Sequence, residues 1–481
     1  MMPAASTLSQ VQHVFRTGRT RSVDWRLSQL AALQELLENH TDAIEAALQE
    51  DLGKNAFEAY VSEIGQVLAE IRWLRKRVAS WAQPRRVPTP TMLWPASSTV
   101  EHMPRGAVLV ISPWNYPVFL SLSPLAAAVA TGNAVVLKPS EVATAVEKIL
   151  AELIPQYLDP HAVRVVTGGP DIVHEMIDVE PDYVFFTGST RVGAIIAQAC
   201  ASRHIEYTLE LGGQSPVYVH EDANIRVTAT RLVWGKFFNA GQTCVAPNHI
   251  YAHEAIADQL HDAILAELPR QFGAQPETNP NYPRMITSEH TSALTELLEH
   301  SHGTIAYGGK ANPERRFIEP TVVTDVTEDD ALMSRELFGP VLPLITVSGL
   351  DDALDRINQR PHPLAAYLFT ESPSIKDSFC DRVVAGGIGI NVPVLHVASP
   401  HLPFGGIGAS GSGQYHGRWS LETFTHQRAV LDKSTRLDTI RLIAQPVPAW
   451  MDFAVRRLLS AGQNPAAHRQ TAQHYRAKRS E

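Results

Sequence analysis

Apolar residues change their spacing along the chain. From Asp24 to about Trp81 they recur at the spacing of amphipathic helices, and a proline-rich connection at 83–95 follows. Beyond it, short β-branched runs alternate with helical stretches, namely Ala107–Ile111, Ala134–Leu137, Val163–Val166 and Tyr183–Phe186. Strands that are buried on both faces have this continuous apolar character, so the pattern predicts βαβ units and a parallel α/β sheet.

The stretch from Gly106 to Leu137 contains no charged residue. A membrane-spanning helix would need such a run, but Pro113, Asn115 and Pro117 interrupt it, and backbone polar groups in lipid must be satisfied within a regular helix. We therefore predict a buried strand, a loop, a helix and a second strand here.

Composition places the chain among ordinary globular proteins. It has 481 residues, of which 44% are hydrophobic and 19% are charged, which suits roughly two to four domains with sizeable cores. The formal net charge of -9 argues against a nucleic-acid-binding surface, so we expect no nucleic acid partner.

The cysteine content indicates a reducing compartment. The spacing of the 3 cysteines suits neither a zinc site nor a disulfide framework. Cys200 and Cys380 lie in helical, partly apolar surroundings and are predicted to be packing residues. The N-terminus lacks the basic start and apolar core of a signal peptide. We expect a cytoplasmic protein without a metal site.

Cys244 is the candidate nucleophile, because it lies among small and polar residues in the segment Asn239–Asn248. A thiol attacks a carbonyl carbon only as the thiolate, which requires partial exposure and neighbours that lower its pKa or accept its proton. Glu210, in the apolar segment Thr208–Gly213, is the candidate base, since burial raises a carboxyl pKa toward a useful range. The alternatives are a small buried hydrophobe at Cys244 and a paired structural acid at Glu210.

Two strand ends carry candidate cofactor contacts. The segment Thr187–Gly193 places glycine and hydroxyl residues where a strand turns into a helix, and Gly188 would permit a phosphate to approach the helix N-terminus. The usual G-x-G-x-x-G pattern is absent, and an ordinary capped helix is the alternative. Lys138 and Glu141 follow another strand, where they hold ribose hydroxyls or are solvated surface residues.

Five segments occur in an order that resembles the aldehyde dehydrogenase superfamily. Besides the cysteine segment, they are Ser112–Pro117, Leu209–Pro216, Glu336–Pro340 and Pro403–Gly411. The resemblance extends from the N-terminal helices to Leu431. Within the superfamily, the short N-terminus and the segments Leu402–Gly417 and Leu421–His426 are similar to class 3 and coniferyl-aldehyde dehydrogenases.

The resemblance implies an α/β fold with a Rossmann-like cofactor domain, an α/β catalytic domain and a small β oligomerisation arm. The NAD(P)-binding domain would comprise residues 1–81 and 106–211, and the catalytic domain residues 212–402. The arm would combine residues 82–105 with 403–433 and bridge the subunits of a homodimer, and residues 434–481 would form a C-terminal tail.

The resemblance also implies NAD(P)-dependent oxidation of an aldehyde to the carboxylic acid. The Cys244 thiolate would attack the carbonyl to give a thiohemiacetal, hydride transfer to the nicotinamide would leave a thioester, and Glu210 would activate the water that hydrolyses it. The Asn115 side-chain amide and the Cys244 backbone N–H would stabilise the oxyanion. Acyl transfer to coenzyme A and a non-catalytic, cofactor-binding scaffold are the alternatives.

The same resemblance implies the residues around the two ligands. Those at the cofactor would be Trp114, Lys138, Glu141, Gly188, Ser189, Gly193, Glu336 and Phe338. Because Glu141 should repel the 2′-phosphate that Lys138 attracts, NAD is the expected cofactor, with poorer activity on NADP. An apolar pocket for medium-chain aliphatic or aromatic aldehydes would be lined by Tyr116, Trp234 and His396.

The segment from Arg436 to Glu481 has more basic than acidic residues, with apolar side chains beside Arg456 and Arg457. A basic amphipathic helix can lie on anionic lipid, which would give peripheral membrane contact. The alternative is a helix docked on the protein, followed by a frayed end.

Overall fold

The structure is a computed structural model that describes residues 4–442, 444–445 and 447–459. The chain divides into two compact units. The larger unit contains the described residues up to Gln83 and those from His102 to Gln427, and the smaller contains Pro84–Glu101 and the described residues from Arg428 onward. The division into cofactor, catalytic and bridging domains stays a prediction.

Helices precede the first strand. They are α1 (Ala4–Arg16), α2 (Val23–Asn39), α3 (Thr41–Leu52), α4 (Ala56–Ala59), α5 (Gly65–Arg75) and α6 (Val78–Trp81), with a turn of π-helix at Tyr60–Ile64 between α4 and α5. The Ser22 side chain caps α2 by accepting a hydrogen bond from the Trp25 N–H, and Gly53 ends α3 in the left-handed conformation. The predicted helical periodicity is confirmed. Two antiparallel strands follow, β1 (Arg85–Val87) and β2 (Ala96–Pro104).

The next part of the chain forms a sheet of parallel strands. They are β3 (Ala107–Ile111), β4 (Ala134–Lys138), β5 (Val163–Val165), β6 (Tyr183–Thr187) and β7 (Glu206–Glu210), in the order β7-β6-β3-β4-β5. The crossovers contain α7 (Phe119–Ala130), α8 (Thr144–Tyr157), α9 (Pro170–Asp178) and α10 (Thr190–Ala201). Every residue of β3, β4 and β6 is buried, as expected for parallel strands covered on both faces. The predicted βαβ sheet is confirmed, and so is the strand, loop, helix and strand between Gly106 and Leu137.

A second large sheet follows, in the order β10-β13-β14-β9-β8-β15-β16. Its strands are β8 (Pro216–Val219), β9 (His249–His253), β10 (Thr304–Tyr307), β13 (Thr321–Thr324), β14 (Val341–Val347), β15 (Ala365–Phe369) and β16 (Gly387–Ile390), with the small hairpin β11 (Ala311–Asn312) and β12 (Phe317–Ile318) beside it in sequence. Neighbouring strands are parallel except β10 and β13. The helices of this part are α11 (Ile225–Phe237), α12 (Ala257–Phe272), α13 (Ser288–Glu299), α14 (Leu350–Asn358) and α15 (Pro373–Arg382).

The remaining described elements are β17 (Gly411–Ser412), α16 (Arg418–Phe424), β18 (Thr425–Lys433) and α17 (Ala449–Leu459). Strand β17 pairs antiparallel with β7, so that Gly411 lies opposite Glu210. Strand β18 joins the small sheet in the order β1-β2-β18. Among the described residues, no helix has both the length and the apolar character needed to cross a membrane.

Candidate active site

A cavity of about 660 Å³ lies where β3, β4, β6 and β7 end. Ligands of open α/β sheets bind outside the carboxyl ends of the strands, because helix N-termini and loops converge there. The cavity brings together most of the residues predicted from the sequence: Trp114, Asn115, Lys138, Glu141, Gly188, Ser189, Glu210, Cys244, Glu336 and Phe338. Residues far apart in sequence therefore share one space.

The segment before Cys244 has an unusual backbone. Asn239, Ala240 and Gly241 have positive φ angles of 53°, 50° and 75°. The left-handed conformation costs a residue with a side chain about 1–2 kcal/mol, so neighbours must hold it in place. The Glu58 carboxylate accepts a hydrogen bond from the Asn239 backbone N–H at 2.9 Å. This left-handed segment delivers the half-buried Cys244 to the cavity wall.

The surroundings of Cys244 favour its neutral thiol. Burial raises the pKa of the thiol well above its ordinary range, and the nearby carboxyl groups of Glu336 and Glu210 raise it further. Hydrogen bonds from the backbone N–H groups of Cys244 and Val245 oppose the shift. Activation of the thiol therefore needs a base or a positive charge in the cavity.

Tyr367 holds the chain immediately after Cys244. Its hydroxyl donates a hydrogen bond to the Val245 carbonyl at 2.5 Å and accepts one from the Val394 N–H at 3.2 Å. Sequence reasoning missed this residue, because nothing in its local pattern connects β15 to a loop more than a hundred residues earlier. The hydroxyl connects the loop of the candidate nucleophile Cys244 (residues 239–248, the nucleophile loop) to the segment that carries His396.

Glu210 ends β7 and is 1% exposed. Neither of its carboxyl oxygens has a hydrogen-bond partner among the described residues. Burial therefore raises the pKa of Glu210 well above its ordinary value. A buried carboxyl without a partner is costly to keep, and one that lines a cavity beside a cysteine is suited to proton transfer. The interpretation of Glu210 as a paired structural acid does not fit this geometry.

Asn115 follows β3 and is 3% exposed. Its amide Nδ2 donates a hydrogen bond to the Gln242 carbonyl at 3.0 Å, two residues before Cys244. A primary amide has two N–H donors. The hydrogen bond to Gln242 orients the amide and leaves its second N–H to serve an oxygen in the cavity.

The turn after β6 has the features of a phosphate site. Gly188 allows the turn to pass close to the Phe186 ring, because a Cβ there would lie 2.5 Å from that ring. The Ser189 side chain accepts a hydrogen bond from the Val192 N–H and begins α10, whose N-terminus favours an anion. Gly193 does not line the cavity; a Cβ there would lie 2.5 Å from Leu211, so Gly193 allows α10 to pack closely.

The other cofactor candidates form two groups. Lys138, which is 3% exposed, makes an ion pair with Glu141 at the end of β4. In the same cavity lining, the ring of Trp114 meets the ring of Phe338 edge to face at 5.3 Å. Near Glu336, a Cβ at Gly212 would clash with the carboxylate, so Gly212 leaves room for it. Charged and aromatic side chains in one cavity are groups that a dinucleotide can use.

Lys236 is a buried charged residue that sequence reasoning missed. It is 1% exposed on α11, and burial lowers its pKa to about 7 while the charge of Glu336 opposes that shift. Burial raises the pKa of Glu336 to about 8, against a hydrogen bond from the Gly213 backbone and the charge of Lys236. The two groups influence each other directly beside the cavity. The helical spacing offered a signal that sequence reasoning did not use, because Lys236 follows Leu232 by four residues and Val233 by three, on the buried face of α11.

The predicted substrate residues Tyr116, Trp234 and His396 do not line this cavity. Tyr116 lies behind it, where its hydroxyl is 2.6 Å from the Thr243 hydroxyl. His396 packs 6.0 Å from the Tyr367 ring, and burial lowers its pKa to about 4. Their role toward a substrate stays a prediction. Among the described residues, no group of three or more His, Cys, Asp or Glu side chains could hold a metal.

Comparison with known proteins agrees with this site. The family model described as the aldehyde dehydrogenase family matches residues 4–430. The chain is 42% identical over 425 residues to a 4,4'-diaponeurosporen-aldehyde dehydrogenase of Staphylococcus aureus, covering 88% of this chain and 93% of that protein. It is 40% identical over 446 residues to aldehyde dehydrogenase family 3 member B1 of Homo sapiens, covering 93% and 95%. A solved structure, the substrate-bound state of Staphylococcus aureus AldH, matches with a TM-score of 0.92 at 39% identity, covering 95% of this chain and 100% of that chain.

A sheet edge suited to a dinucleotide and a cysteine loop that share one cavity are the features expected of a dehydrogenase that uses a thiol. The chain belongs to the aldehyde dehydrogenase family, among relatives of class 3, and it is an NAD(P)-dependent aldehyde dehydrogenase. The predicted family, fold class, aldehyde-oxidising activity and use of NAD(P) are confirmed, and the preference for NAD over NADP stays a prediction.

Proposed function

We propose that Cys244 is the nucleophile, Glu210 the base, and the Asn115 amide with the Cys244 backbone N–H the oxyanion donors of this enzyme. The observation that supports the assignment is their common position. The thiol, the unpartnered carboxyl and the oriented amide line one cavity. Each group supplies a function that aldehyde oxidation through a thioester requires.

The first step forms a bond between the Cys244 sulfur and the aldehyde carbon. Glu210 accepts the thiol proton, and the former carbonyl oxygen becomes an oxyanion that takes hydrogen bonds from Asn115 and the Cys244 N–H. Bound NAD(P) supplies the hydride acceptor. Loss of the hydride restores the carbon–oxygen double bond and leaves an acyl thioester on Cys244.

The second step releases the acid. Glu210 first releases to solvent the proton that it took from the thiol. It then removes a proton from water, the hydroxide adds to the thioester carbon, and the thiolate leaves as the carbon–sulfur bond breaks. The raised pKa of Glu210 suits this task, because a carboxylate with a high pKa is the stronger base.

The substrates that we propose are medium-chain aliphatic or aromatic aldehydes. Trp234 packs against Phe238 with 5.4 Å between ring centroids. A Cβ at Gly235 would lie 3.7 Å from Val394, so α11 approaches the segment that precedes His396. Apolar and aromatic side chains therefore gather beside the nucleophile loop, as an apolar aldehyde requires.

The test is NADH formation by wild type, Cys244→Ala and the matched control Cys380→Ala, whose thiol is exposed. Hexanal, benzaldehyde, a cinnamyl-type aldehyde and succinic semialdehyde are offered with NAD or NADP, with and without coenzyme A. We expect turnover without coenzyme A in wild type and the control, none in Cys244→Ala, and poorer use of the charged semialdehyde. Turnover by Cys244→Ala would disprove the nucleophile, and a preference for the semialdehyde would disprove the substrate class.

We also propose that the enzyme is a cytoplasmic homodimer. Within the described residues, β18 is an edge strand of 9 residues whose side chains are mostly exposed, and such edges pair readily with a second chain. The free state of the cysteines suits a reducing compartment. Light scattering should give the mass of two chains, and cell fractionation should recover the enzyme in the cytosol. A monomer in solution would disprove the homodimer, and exclusive recovery from another compartment would disprove the cytoplasmic location.

For the C-terminal tail we propose peripheral contact with an anionic membrane. Helix α17 exposes Trp450, Phe453 and Leu459 together with Arg456 and Arg457. Residues 460–481, which complete the predicted tail, lie outside the described residues. Co-sedimentation with phosphatidylserine vesicles, and not with phosphatidylcholine vesicles, is the expected result. Absence of binding to both would disprove the proposal.

A further inference from the structure

Three buried charged residues lie behind the loops that carry Asn115 and Cys244. Lys54 and Glu63 are 0% exposed, and their Nζ and Oε1 atoms are 2.5 Å apart. Glu58 is 6% exposed. Burying charges is expensive even when they are paired, and apolar side chains often serve stability as well. These residues therefore call for a role beyond stabilising the core.

The Lys54–Glu63 pair binds the backbone on both sides of the loop after β3. Lys54 Nζ donates a hydrogen bond to the Asn115 carbonyl at 3.1 Å. The other oxygen of Glu63 accepts hydrogen bonds from the N–H groups of Val118 at 2.8 Å and Phe119 at 3.1 Å. One ion pair thus fixes the main chain at Asn115 and at the start of α7.

The same Asn115 carbonyl also meets the nucleophile loop. It accepts a second hydrogen bond, at 2.9 Å, from the side-chain amide of Asn239. The backbone N–H of Asn239 donates to Glu58, and its side chain also donates to the Gln242 carbonyl at 3.0 Å. The Asn115 carbonyl, in the loop after β3, is therefore the point where the nucleophile loop and the buried Lys54 both make hydrogen bonds.

A rare helical turn presents the two carboxylates. The π-helix at Tyr60–Ile64 contains Glu63, and the Gly65 N–H closes the turn on the Tyr60 carbonyl. In a π turn the hydrogen bond spans five residues. Glu63 lies within this turn, and Glu58 lies in α4 immediately before it. Such turns occur mostly as single turns and often at functional sites.

We propose that the Lys54–Glu63 ion pair is a positioning device for the oxyanion hole, which holds the backbone of Asn115 so that its side-chain amide faces the reacting carbonyl. The inference rests on the proposed function, in which Asn115 donates to the oxyanion. Lys54 and Glu63 act through Asn115 and do not line the cavity. Substituting Lys54 or Glu63 should therefore reduce only the part of kcat/KM that depends on the Asn115 amide.

A double-mutant cycle on kcat/KM for the aldehyde tests this role. The four proteins are wild type, Glu63→Gln, Asn115→Ala and the double variant, all at saturating cofactor. We expect Asn115→Ala to lower kcat/KM by ~100-fold or more, and Glu63→Gln by roughly 10- to 100-fold through misplacement of the amide. In the Asn115→Ala background, Glu63→Gln should lower it by less than about 3-fold, because residues that act as a unit are not additive.

The matched control is Glu70→Gln. Glu70 is a buried carboxyl on α5 that accepts a hydrogen bond from the Gly417 N–H at 3.2 Å, outside the loop network. The Glu70→Gln variant should have a kcat/KM within about 3-fold of wild type, and every variant should keep the wild-type Kd for the cofactor. If Glu63→Gln fails to fold, Lys54→Met/Glu63→Gln replaces it, because this variant removes both partners of the ion pair and leaves no unpaired lysine.

The outcomes separate this inference from the function on which it rests. The positioning role would be overturned if Glu63→Gln lowered kcat/KM by the same factor with and without Asn115→Ala, or if Glu63→Gln left kcat/KM unchanged. In either case the wild type would still be active. Wild type that oxidises no aldehyde would instead overturn the proposed function.

Discussion

Glu210→Gln removes the proposed base while keeping the shape of the side chain. No described residue offers a hydrogen bond to either carboxyl oxygen, so no protein contact at this position is broken by the change. Two other carboxyl groups line the cavity: Glu336 is engaged by the Gly213 backbone and influenced by Lys236, and Glu141 pairs with Lys138. We therefore expect no substitute base to take over hydrolysis.

The size of the expected rate loss follows from the lack of a substitute base. A positioned general base contributes roughly 10²- to 10⁴-fold, which corresponds to about 3–5 kcal/mol of transition-state stabilisation. We expect the full contribution to be lost from thioester hydrolysis. Formation of the thioester should be less affected, because the positive charge of an oxidised nicotinamide bound in the cavity would also favour the thiolate, whose proton then passes to solvent.

Stopped-flow measurement of NADH distinguishes the two steps. Glu210→Gln should show a burst of about one NADH per active site, followed by a steady rate that is ~10²-fold or more below wild type. A steady rate within about 3-fold of wild type would refute the role of Glu210 in hydrolysis. Loss of the burst together with the steady rate would show that its main role is the deprotonation of Cys244.

The pH dependence gives an independent check with a defined sign. The folded pKa of Glu210 lies well above its ordinary value of 4.5, so the folded protein binds more protons than the unfolded chain above that value. This contribution to stability is present below pH 4.5 and is lost as pH rises through the folded pKa. Glutamine does not titrate, so at pH 8 the variant should be at least as stable as wild type in thermal unfolding, and hydrolysis in wild type should rise with pH. A variant that unfolds well below wild type at this pH would contradict the reasoning.

Three further substitutions test the cofactor site and the nucleophile loop. Glu141→Gln removes the carboxylate that pairs with Lys138 and repels a 2′-phosphate, so kcat/KM for NADP relative to NAD should rise ~10-fold; an unchanged ratio would contradict this. Gly188→Val drives a side chain into the Phe186 ring, which lines the cavity, so it should distort the turn at the predicted phosphate site, and calorimetry should show cofactor binding weakened by ~100-fold or more; wild-type affinity would place the phosphate away from this turn. Tyr367→Phe removes the hydroxyl that holds Val245, so the rate of iodoacetamide labelling and kcat should both change by ~10-fold, whereas wild-type values would show that the loop is held without it.

The pattern of apolar residues predicted the parallel strands. The continuous apolar runs correspond to β3, β4 and β6, in which every residue is buried. Cys244, Glu210 and Asn115 could be proposed as partners only through the resemblance to a family, since no spacing rule joins positions so far apart. Their common cavity required the folded chain.

The rest of the site depends on contacts between distant segments. Glu58 lies in the N-terminal helices but stabilises the left-handed Asn239, so neither residue reveals the other in sequence. Lys236 lies on the apolar face of α11 by helical spacing, but the local pattern does not reveal that the distant Glu336 influences its charge. Gly193 shows the converse, because its place in a predicted phosphate turn suggested a ligand contact, whereas the structure packs it against Leu211.

The most direct test of the central claim is the identification of the acylated residue. Glu210→Gln is mixed with hexanal and NAD, quenched in acid, and analysed by intact mass and peptide mapping. We predict a hexanoyl group on the peptide that contains Cys244, dependent on NAD and absent from Glu210→Gln/Cys244→Ala. A burst of NADH without that adduct, or with the acyl group on Cys200 or Cys380, would contradict the account.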